Sequence, residues 1–252
     1  MKSIFYIFFF FFAASLFSEA ATRGDVKVIE ASENIRYLSQ KIVKDYLFYY
    51  QHPEQTETHN RLKKELGQLS ADLRIIATTT KDADTKDILE FLAYSKDQIE
   101  QIFNEKVDKE KAALMLDYSE TLLEGADSIA LAHKYDFSNE ERMLMVTKKM
   151  EYLLERITKY YMAIHVGFNS ATNKEQMKNA MIEMEESLLE ISLYNYPEEI
   201  KRVQTGMNRS WRSNRDFFER SEQLFIPKLM FISVAYLEDF VSALALYHSK
   251  NQ

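Results

Sequence analysis

“ALMLDYSETLLEGADSIALAHKY” (residues 113–135) has a counterpart 115 residues later, “KLMFISVAYLEDFVSALALYHSK” (228–250). The same offset aligns the apolar positions of segments 62–76 and 88–103 with those of 177–191 and 203–218. Because one offset holds over three successive segments, the chain is predicted to contain two copies of one structural unit. The two quoted segments share six residues: Leu114/Leu229, Met115/Met230, Leu122/Leu237, Ala130/Ala245, Leu131/Leu246 and His133/His248.

Hydrophobic residues recur with helical spacing in eight segments, which predicts eight helices. They make up 46% of the chain, whereas five Gly and three Pro are too few for an all-β fold rich in tight turns. “SNEE” (138–141) predicts a capping box at the fifth helix. The sequence therefore predicts an all-α protein of two tandem antiparallel four-helix bundles, residues 21–136 and 137–252. The predicted helices span 26–51, 57–79, 84–105, 109–135, 138–168, 173–195, 198–222 and 227–250.

The first helices of the two copies do not follow the offset of 115 when their apolar residues are aligned. The apolar seam of the first copy matches that of the second with an offset of 108 residues, one heptad less than 115. We therefore expect one additional heptad in the second copy near its first hairpin, which a bundle can absorb without changing faces. The seam residues are Val28, Ile35, Ile42 and Tyr49 in the first copy and Met143, Met150, Ile157 and Ile164 in the second.

The N-terminus has the pattern of a signal peptide. Lys2 precedes an apolar run of 14 residues, Ile4 to Phe17, and “SEA” (18–20) then supplies small residues for a cleavage site. The run is short for a membrane span, so residues 1–20 are predicted to be removed after Ala20, with a retained anchor as the alternative. The predicted location is periplasmic. The chain has no Cys, so packing rather than disulfides must stabilise the exported protein.

Arg36, Ser39 and Gln40 form a polar stripe beside the apolar seam of the first helix, at i, i+3 and i+4. A guanidinium at the edge of a core can offer two parallel donors to a planar oxyanion, and a hydroxyl and an amide can add further donors. These three residues are the candidate anion-binding site. The alternative is that Arg36 pairs with Glu33 at i−3 or with a neighbouring helix.

The segment “IRYLSQKIVKDYL” (35–47) is similar to the first-helix signature of the PilJ-type domain, the N-terminal domain of type IV pilus chemotaxis transducers. NarX-like nitrate-sensor regions belong to the same family. The resemblance covers nearly the whole mature chain as two tandem copies. Its first-helix part consists of Arg36, two hydrophobic residues, Ser39-Gln40, Lys41 and Ile42, and a second part contains Trp211, Phe217, Ile226-Pro227 and Tyr247.

The resemblance implies an extracytoplasmic four-helix sensor in which Arg36 binds a small anion, such as nitrate or nitrite, at a dimer interface. Family members usually continue into a membrane helix and a signalling module, and this sequence predicts neither. We therefore expect occupancy to be relayed to a membrane sensor kinase or chemoreceptor. The dimer is expected to be a homodimer or an intramolecular pseudo-dimer. Under the 108 offset, Arg36 corresponds to Leu144, which predicts at most one asymmetric anion site.

A second candidate site lies in the basic segment “KRVQTGMNRSWRSNRDFFER” (201–220). Arg209, Trp211, Arg212 and Arg215 are the candidate partner-docking residues, for an acidic protein or for anionic lipid headgroups. The alternative is a solvated helix face that complements acidic neighbours such as “EMEESLLE” (183–190).

Several function classes have no sequence support. The chain contains no nucleophile elbow, Gly-rich phosphate loop or metal-binding motif, so no catalytic residue, metal or cofactor is predicted. A net charge of −7 makes nucleic acid an improbable partner. Two functions remain: a non-enzymatic sensor, or a structural and interaction protein of an envelope or pilus-associated assembly. An enzyme ranks below both and would require a buried cluster of convergent titratable residues.

Overall fold

The computed structural model describes residues 23–220 and 223–252, and α-helices are the only regular secondary structure within them. All eight predicted helices are present, with ends within three residues of the predicted ones. The predicted signal peptide, residues 1–20, lies outside the described residues. The helices are α1 (Arg23–Gln51), α2 (Thr56–Thr79), α3 (Ala83–Phe103), α4 (Lys109–Ala132), α5 (Asn139–His165), α6 (Ala171–Leu193), α7 (Glu198–Glu219) and α8 (Pro227–Lys250).

Local chemistry determines where several of these helices begin. At α5, the Ser138 hydroxyl accepts from the Glu141 amide at 3.2 Å, and the Glu141 carboxylate accepts from the Ser138 amide at 2.8 Å. This is the predicted capping box, and it is confirmed. Pro227 occupies the first turn of α8, where its missing N–H has no intrahelical partner to lose. Side chains also cap the N-termini of α3, α4 and α6, through Asp82, Asp108 and Ser170.

Helices α1 and α5 lie side by side at the centre of the molecule. α1 packs against α2, α4 and α5, and α5 packs against α1, α6 and α8. On one side α3 packs on α2 and α4, and on the other side α7 packs on α6 and α8. Buried side chains from all eight helices join in one hydrophobic core, so the central pair is part of that core rather than a surface contact.

The central helices run parallel to each other. Arg36 lies over the Tyr152 ring, 4.3 Å from its centroid, and two turns later Lys44 contacts Glu155 at 2.6 Å. Both partners advance in the same direction along their helices, which requires a parallel arrangement. Equivalent ends of α1 and α5 are therefore neighbours.

The offset of 115 extends to α1 and α5, so the expected additional heptad is wrong. α1 spans 29 described residues and α5 spans 27, with short connections of 52–55 and 166–170 after them. Two equivalent carboxylate–histidine contacts have the same offset, Asp25 with His133 and Glu140 with His248. The apolar pattern could not distinguish an offset of 108 from one of 115, because a shift of one heptad leaves the apolar seam on the same face of the helix.

These two histidines tie the last helix of each copy to the start of the first. Nδ1 of His133 lies 2.8 Å from Asp25, and Nδ1 of His248 lies 2.7 Å from Glu140. The other ring nitrogen of His248 is 2.8 Å from the hydroxyl of Tyr196. The ties therefore join helices that are far apart in sequence at one end of the molecule.

Among the described helices, α8 is long and apolar enough to cross a membrane by length and composition. The core helix of a soluble protein meets the same criteria. In α8, however, only 33% of the most apolar window is buried inside the molecule. Four large apolar side chains of this helix are exposed: Leu229, Ile232, Tyr236 and Leu246.

Candidate functional site

Arg36 is held by two carboxylates and an aromatic ring. Its Nη1 is 2.7 Å from Glu33 of the same helix, and its Nε is 2.6 Å from Asp127 of α4. The guanidinium plane also lies against Tyr152 of α5. Burial disfavours the charge of Arg36, but the nearby carboxylates outweigh this effect and raise its pKa. This is the pairing that the alternative interpretation of the sequence expected.

Ser39 and Gln40 form hydrogen bonds within the protein. The Ser39 hydroxyl donates to the carbonyl oxygen of Arg36 at 2.7 Å. The Gln40 amide donates to the Ser39 hydroxyl at 2.9 Å and to the Ser119 carbonyl of α4 at 3.4 Å. Both side chains are fully buried. In this conformation they link α1 to α4 and do not face the same space as the guanidinium.

Arg36 nevertheless lines a cleft of about 690 Å³ formed by α1, the connection between α4 and α5, and the helices α5 and α6. Lys134, Arg142 and Lys149 also line this cleft. The two α5 cations each pair with a carboxylate of α6, and Lys134 is exposed. The structure therefore brings four cations together with the carboxylates of Glu33, Asp136 and Glu190, where the sequence had singled out only Arg36.

A buried ionic cluster lies further along the contact between α1 and α5. Lys44 contacts the Glu155 carboxylate at 2.6 Å, and Lys41 lies 3.7 Å from it. Glu155 is only 1% exposed, so it is neutralised by these lysines rather than by water. Glu65 of α2 and Glu238 of α8 complete the cluster, and burial raises the pKa of each to about 8.

Lys159 is the residue of α5 equivalent to Lys44, and it is also buried. Its ammonium lies 2.5 Å from the Glu120 carboxylate and donates to the Ser119 hydroxyl at 2.9 Å. Burial lowers the pKa of Lys159 to about 8. Gln40 and Lys159 thus meet at Ser119, whereas Glu155, the residue equivalent to Gln40, contacts Lys44 directly.

Sequence reasoning missed this cluster, although a signal was present. Lys44 and Lys159 are both two positions after a seam isoleucine, and they differ by 115 residues. A cation repeated at equivalent positions beside the core indicates a buried ion pair. The assumed offset of 108 hid the equivalence.

The basic segment on α7 is largely exposed, with one exception. Arg209, Arg212 and Arg215 face solvent, whereas Trp211 is only 4% exposed and packs in the hydrophobic core. Trp211 is therefore wrong as a docking residue, because its position follows the apolar side of α7 together with Met207 and Phe218. Arg215 pairs with Glu185 of α6 at 2.8 Å, as the alternative interpretation expected for the acidic neighbour.

In the part of the chain that the structure describes, no group of three or more His, Asp or Glu side chains is arranged to hold a metal ion. The ionic cluster supplies titratable groups, but its members are packed together. Lys44, Asp45 and Glu155 are all buried. These three side chains are therefore largely shielded from solvent in the described fold.

No family model, curated protein or solved structure matches this chain. The resemblance of α1 and α7–α8 to the PilJ-type domain therefore stays a prediction.

Proposed function

We propose that the chain is an exported, non-enzymatic binding module of two four-helix bundles, α1–α4 and α5–α8, joined along α1 and α5. The contacts between helices support this division, because α3 packs within the first set and α7 within the second. The parallel pairing of α1 and α5 supports an intramolecular pseudo-dimer. Export rests on the signal-peptide pattern of residues 1–20.

The proposed ligand is a small planar anion such as nitrate or nitrite, bound in the cleft beside Arg36. The observation that carries this proposal is the convergence of Arg36, Lys134, Arg142 and Lys149 on one cleft. A planar oxyanion matches the two parallel donors of a guanidinium. Among the present partners of Arg36, Asp127 is the exchangeable one, since its side chain is 48% exposed whereas Glu33 is buried.

An anion that displaces Asp127 would uncouple α1 from α4 at this point. Asp127 belongs to α4, and its contact with Arg36 is an ion pair between these two helices. Occupancy would thereby change the packing of α4, which a membrane sensor kinase or chemoreceptor could detect. Binding is expected to be weak because the anion competes with a carboxylate that is already in place.

The direct test is calorimetric titration with nitrate, nitrite, chloride and sulfate. Asp127→Asn removes the competing charge and should tighten nitrate or nitrite binding by about fivefold, since a surface-accessible charge contributes on the order of 1 kcal/mol. Arg36→Lys keeps one charge but loses the planar fork, and it should weaken binding. An Arg36→Lys affinity equal to that of the original chain would remove Arg36 from the site.

A second function is favoured by the intramolecular partners that the side chains of the polar stripe already have. Arg36 already has two carboxylate partners, and Ser39 and Gln40 are engaged within the protein. A structural or interaction protein of an envelope or pilus-associated assembly needs no free donor at this position. This second function predicts that no variant binds an anion. It also predicts a stable protein partner whose binding is lost in the charge-reversal variant Arg209→Glu/Arg212→Glu.

A further inference from the structure

The middle of helix α7 carries a basic surface. Residues 200–215 contain five Lys or Arg and no Asp or Glu, in a chain whose net charge is −7. Arg202, Arg209 and Arg212 are exposed, and no described carboxylate forms an ion pair with any of them. These three arginines are therefore charged groups that the rest of the described fold does not neutralise.

The adjacent helix α8 carries an exposed apolar stripe. Leu229, Ile232 and Tyr236 are 52%, 68% and 59% exposed, and their spacing places them on one side of the helix. Phe240, one turn further, is partly buried and packs edge-on against Tyr236 at 4.9 Å. Large side chains exposed in a row differ from the single exposed residues that any protein surface carries.

The basic surface and the apolar stripe lie beside each other. A Cβ on Gly206 would lie 2.6 Å from Cε1 of Phe240, so Gly206 marks the edge of α7 that faces α8. Arg202 and Arg209 are at i−4 and i+3 from Gly206 and share this edge. The Asn214 amide donates to the Ser233 carbonyl at 3.4 Å, and this contact together with that between Gly206 and Phe240 shows that α7 and α8 run antiparallel.

We propose that this α7–α8 outer face, formed by Arg202, Arg209, Arg212, Leu229, Ile232 and Tyr236, docks the protein on an anionic lipid surface. Anionic headgroups neutralise the arginines, and the boundary with the acyl chains accepts the apolar side chains next to them. Tyr236 suits this boundary, because an aromatic ring with a hydroxyl is favoured at the level of the headgroups.

Both chemistries together favour lipid over the other possible occupants. An acidic protein would pair with the arginines but would leave no reason for aliphatic side chains in a row. A second copy of the chain would bring an identical set of arginines to the same face, which costs free energy. The long arginine side chains can also reach headgroups while the helix lies flat on the surface.

The test is vesicle co-sedimentation of the full chain at low salt, with phosphatidylcholine vesicles and with vesicles in which phosphatidylglycerol replaces part of the phosphatidylcholine. A contribution of the apolar residues 4–17 is expected with both vesicle types, so the difference between them isolates the electrostatic part of binding. We expect stronger partitioning onto the anionic vesicles and loss of the difference at high salt.

Arg202→Gln/Arg209→Gln/Arg212→Gln should reduce the anionic difference at least about tenfold, since each surface cation contributes about 1 kcal/mol to membrane binding. The matched control is Lys63→Gln/Lys64→Gln/Arg74→Gln, which removes three exposed cations from α2 and leaves the α7–α8 face intact. Equal loss in both triple variants would overturn the proposal, because it would show a response to net charge alone.

A second pair of variants tests the apolar part. Ile232→Gln should weaken binding to anionic vesicles, whereas Leu131→Gln, at a position 71% exposed on α4, should leave it unchanged. Binding to polyglutamate without binding to anionic vesicles would instead identify an acidic protein surface as the partner. Concentration-dependent dimerisation that is lost in Ile232→Gln, without vesicle binding, would identify a second copy. Either result would overturn the lipid proposal, and neither would bear on the anion cleft beside Arg36.

Discussion

At the scale of single residues, the two buried lysines differ in what they neutralise. Lys44 is the closest cation to the fully buried Glu155, with two further carboxyl groups nearby. Lys159 contacts Glu120, whose side chain is 29% exposed and which also pairs with Arg156 at 2.7 Å. The fold should therefore depend more strongly on the charge of Lys44 than on the charge of Lys159, although the two positions are equivalent.

Replacement of each lysine by methionine should separate these two situations. Lys44→Met removes the closer of the two cations and leaves the buried Glu155 with Lys41 at 3.7 Å, so it should lower the free energy of unfolding by about 3 kcal/mol. Lys159→Met leaves Glu120 with Arg156 and with water, so the change should stay within about 1 kcal/mol. Urea titration of both variants measures the difference, and equal losses would contradict it.

The cluster should also make stability depend on pH. Burial raises the pKa of Glu65 and of Glu238 to about 8, above the ordinary value of 4.5. Between these values the folded state holds more protons than the unfolded chain. The stabilising contribution of the protonated carboxyls is therefore complete below about pH 4.5 and is lost as the pH rises through about 8.

The double variant Glu65→Gln/Glu238→Gln keeps both side chains neutral at every pH. Its melting temperature should fall less between about pH 5 and pH 8 than that of the original chain. Glu90→Gln, at an exposed position on α3, is the control and should follow the original chain. If the melting temperature changed equally with pH in all three proteins, Glu65 and Glu238 would already be ionised in the folded state.

At the scale of helices, two glycines show how neighbours determine the effect of one methyl group. Gly67 of α2 has no atom within 4 Å of an added Cβ, whereas Gly206 of α7 faces the ring of Phe240. Alanine is the better helix former in both places, so the intrinsic preference is the same. The packing between α7 and α8 should decide the difference.

Gly67→Ala should stabilise the protein by about 0.5–1 kcal/mol, because the helix interior gains a better helix former. Gly206→Ala should destabilise it by about 1–3 kcal/mol, because the Phe240 ring is held by Tyr236 and must shift to admit the methyl group. Thermal unfolding of the two variants gives the comparison. A stabilising Gly206→Ala would show that the ring moves freely.

The sequence alone predicted the helices well and their mutual contacts less well. Helix positions follow from the apolar period, and the capping box at Ser138 was correct. The pairing of α1 with α5 was open, because an apolar seam looks the same whether its partner is another molecule or another helix of the chain. The partner of Arg36 on α4, Asp127, is 91 positions away, and nothing in the local pattern indicates it.

At the scale of the whole molecule, the central pair should couple the two halves of the chain during unfolding. One hydrophobic core extends through α1 and α5, and the buried ionic cluster draws residues from α1, α2, α5 and α8. Neither half can open along this contact without exposing apolar surface and separating Lys44 from Glu155. Cooperative unfolding is therefore expected.

Trp211 provides a probe for this coupling. It is the only tryptophan of the chain and lies buried in α7, so its fluorescence reports the half that contains α5–α8. Far-UV circular dichroism reports all eight helices. The two signals should give the same urea midpoint in the original chain. A lower midpoint for Trp211 fluorescence would show that the second half unfolds alone.

The unequal residues at equivalent positions of α1 and α5 also affect which halves of the chain pair with each other. Gln40 stands in α1 where α5 has Glu155, the carboxylate closest to Lys44. If the α1-containing halves of two molecules paired with each other, each buried Lys44 would meet a Gln40 and would keep Asp45 of its own helix, 3.6 Å away and shared with Arg61, as its counter-ion. The two unlike halves thus favour each other over copies of themselves, a preference that an assembly of identical subunits could not encode.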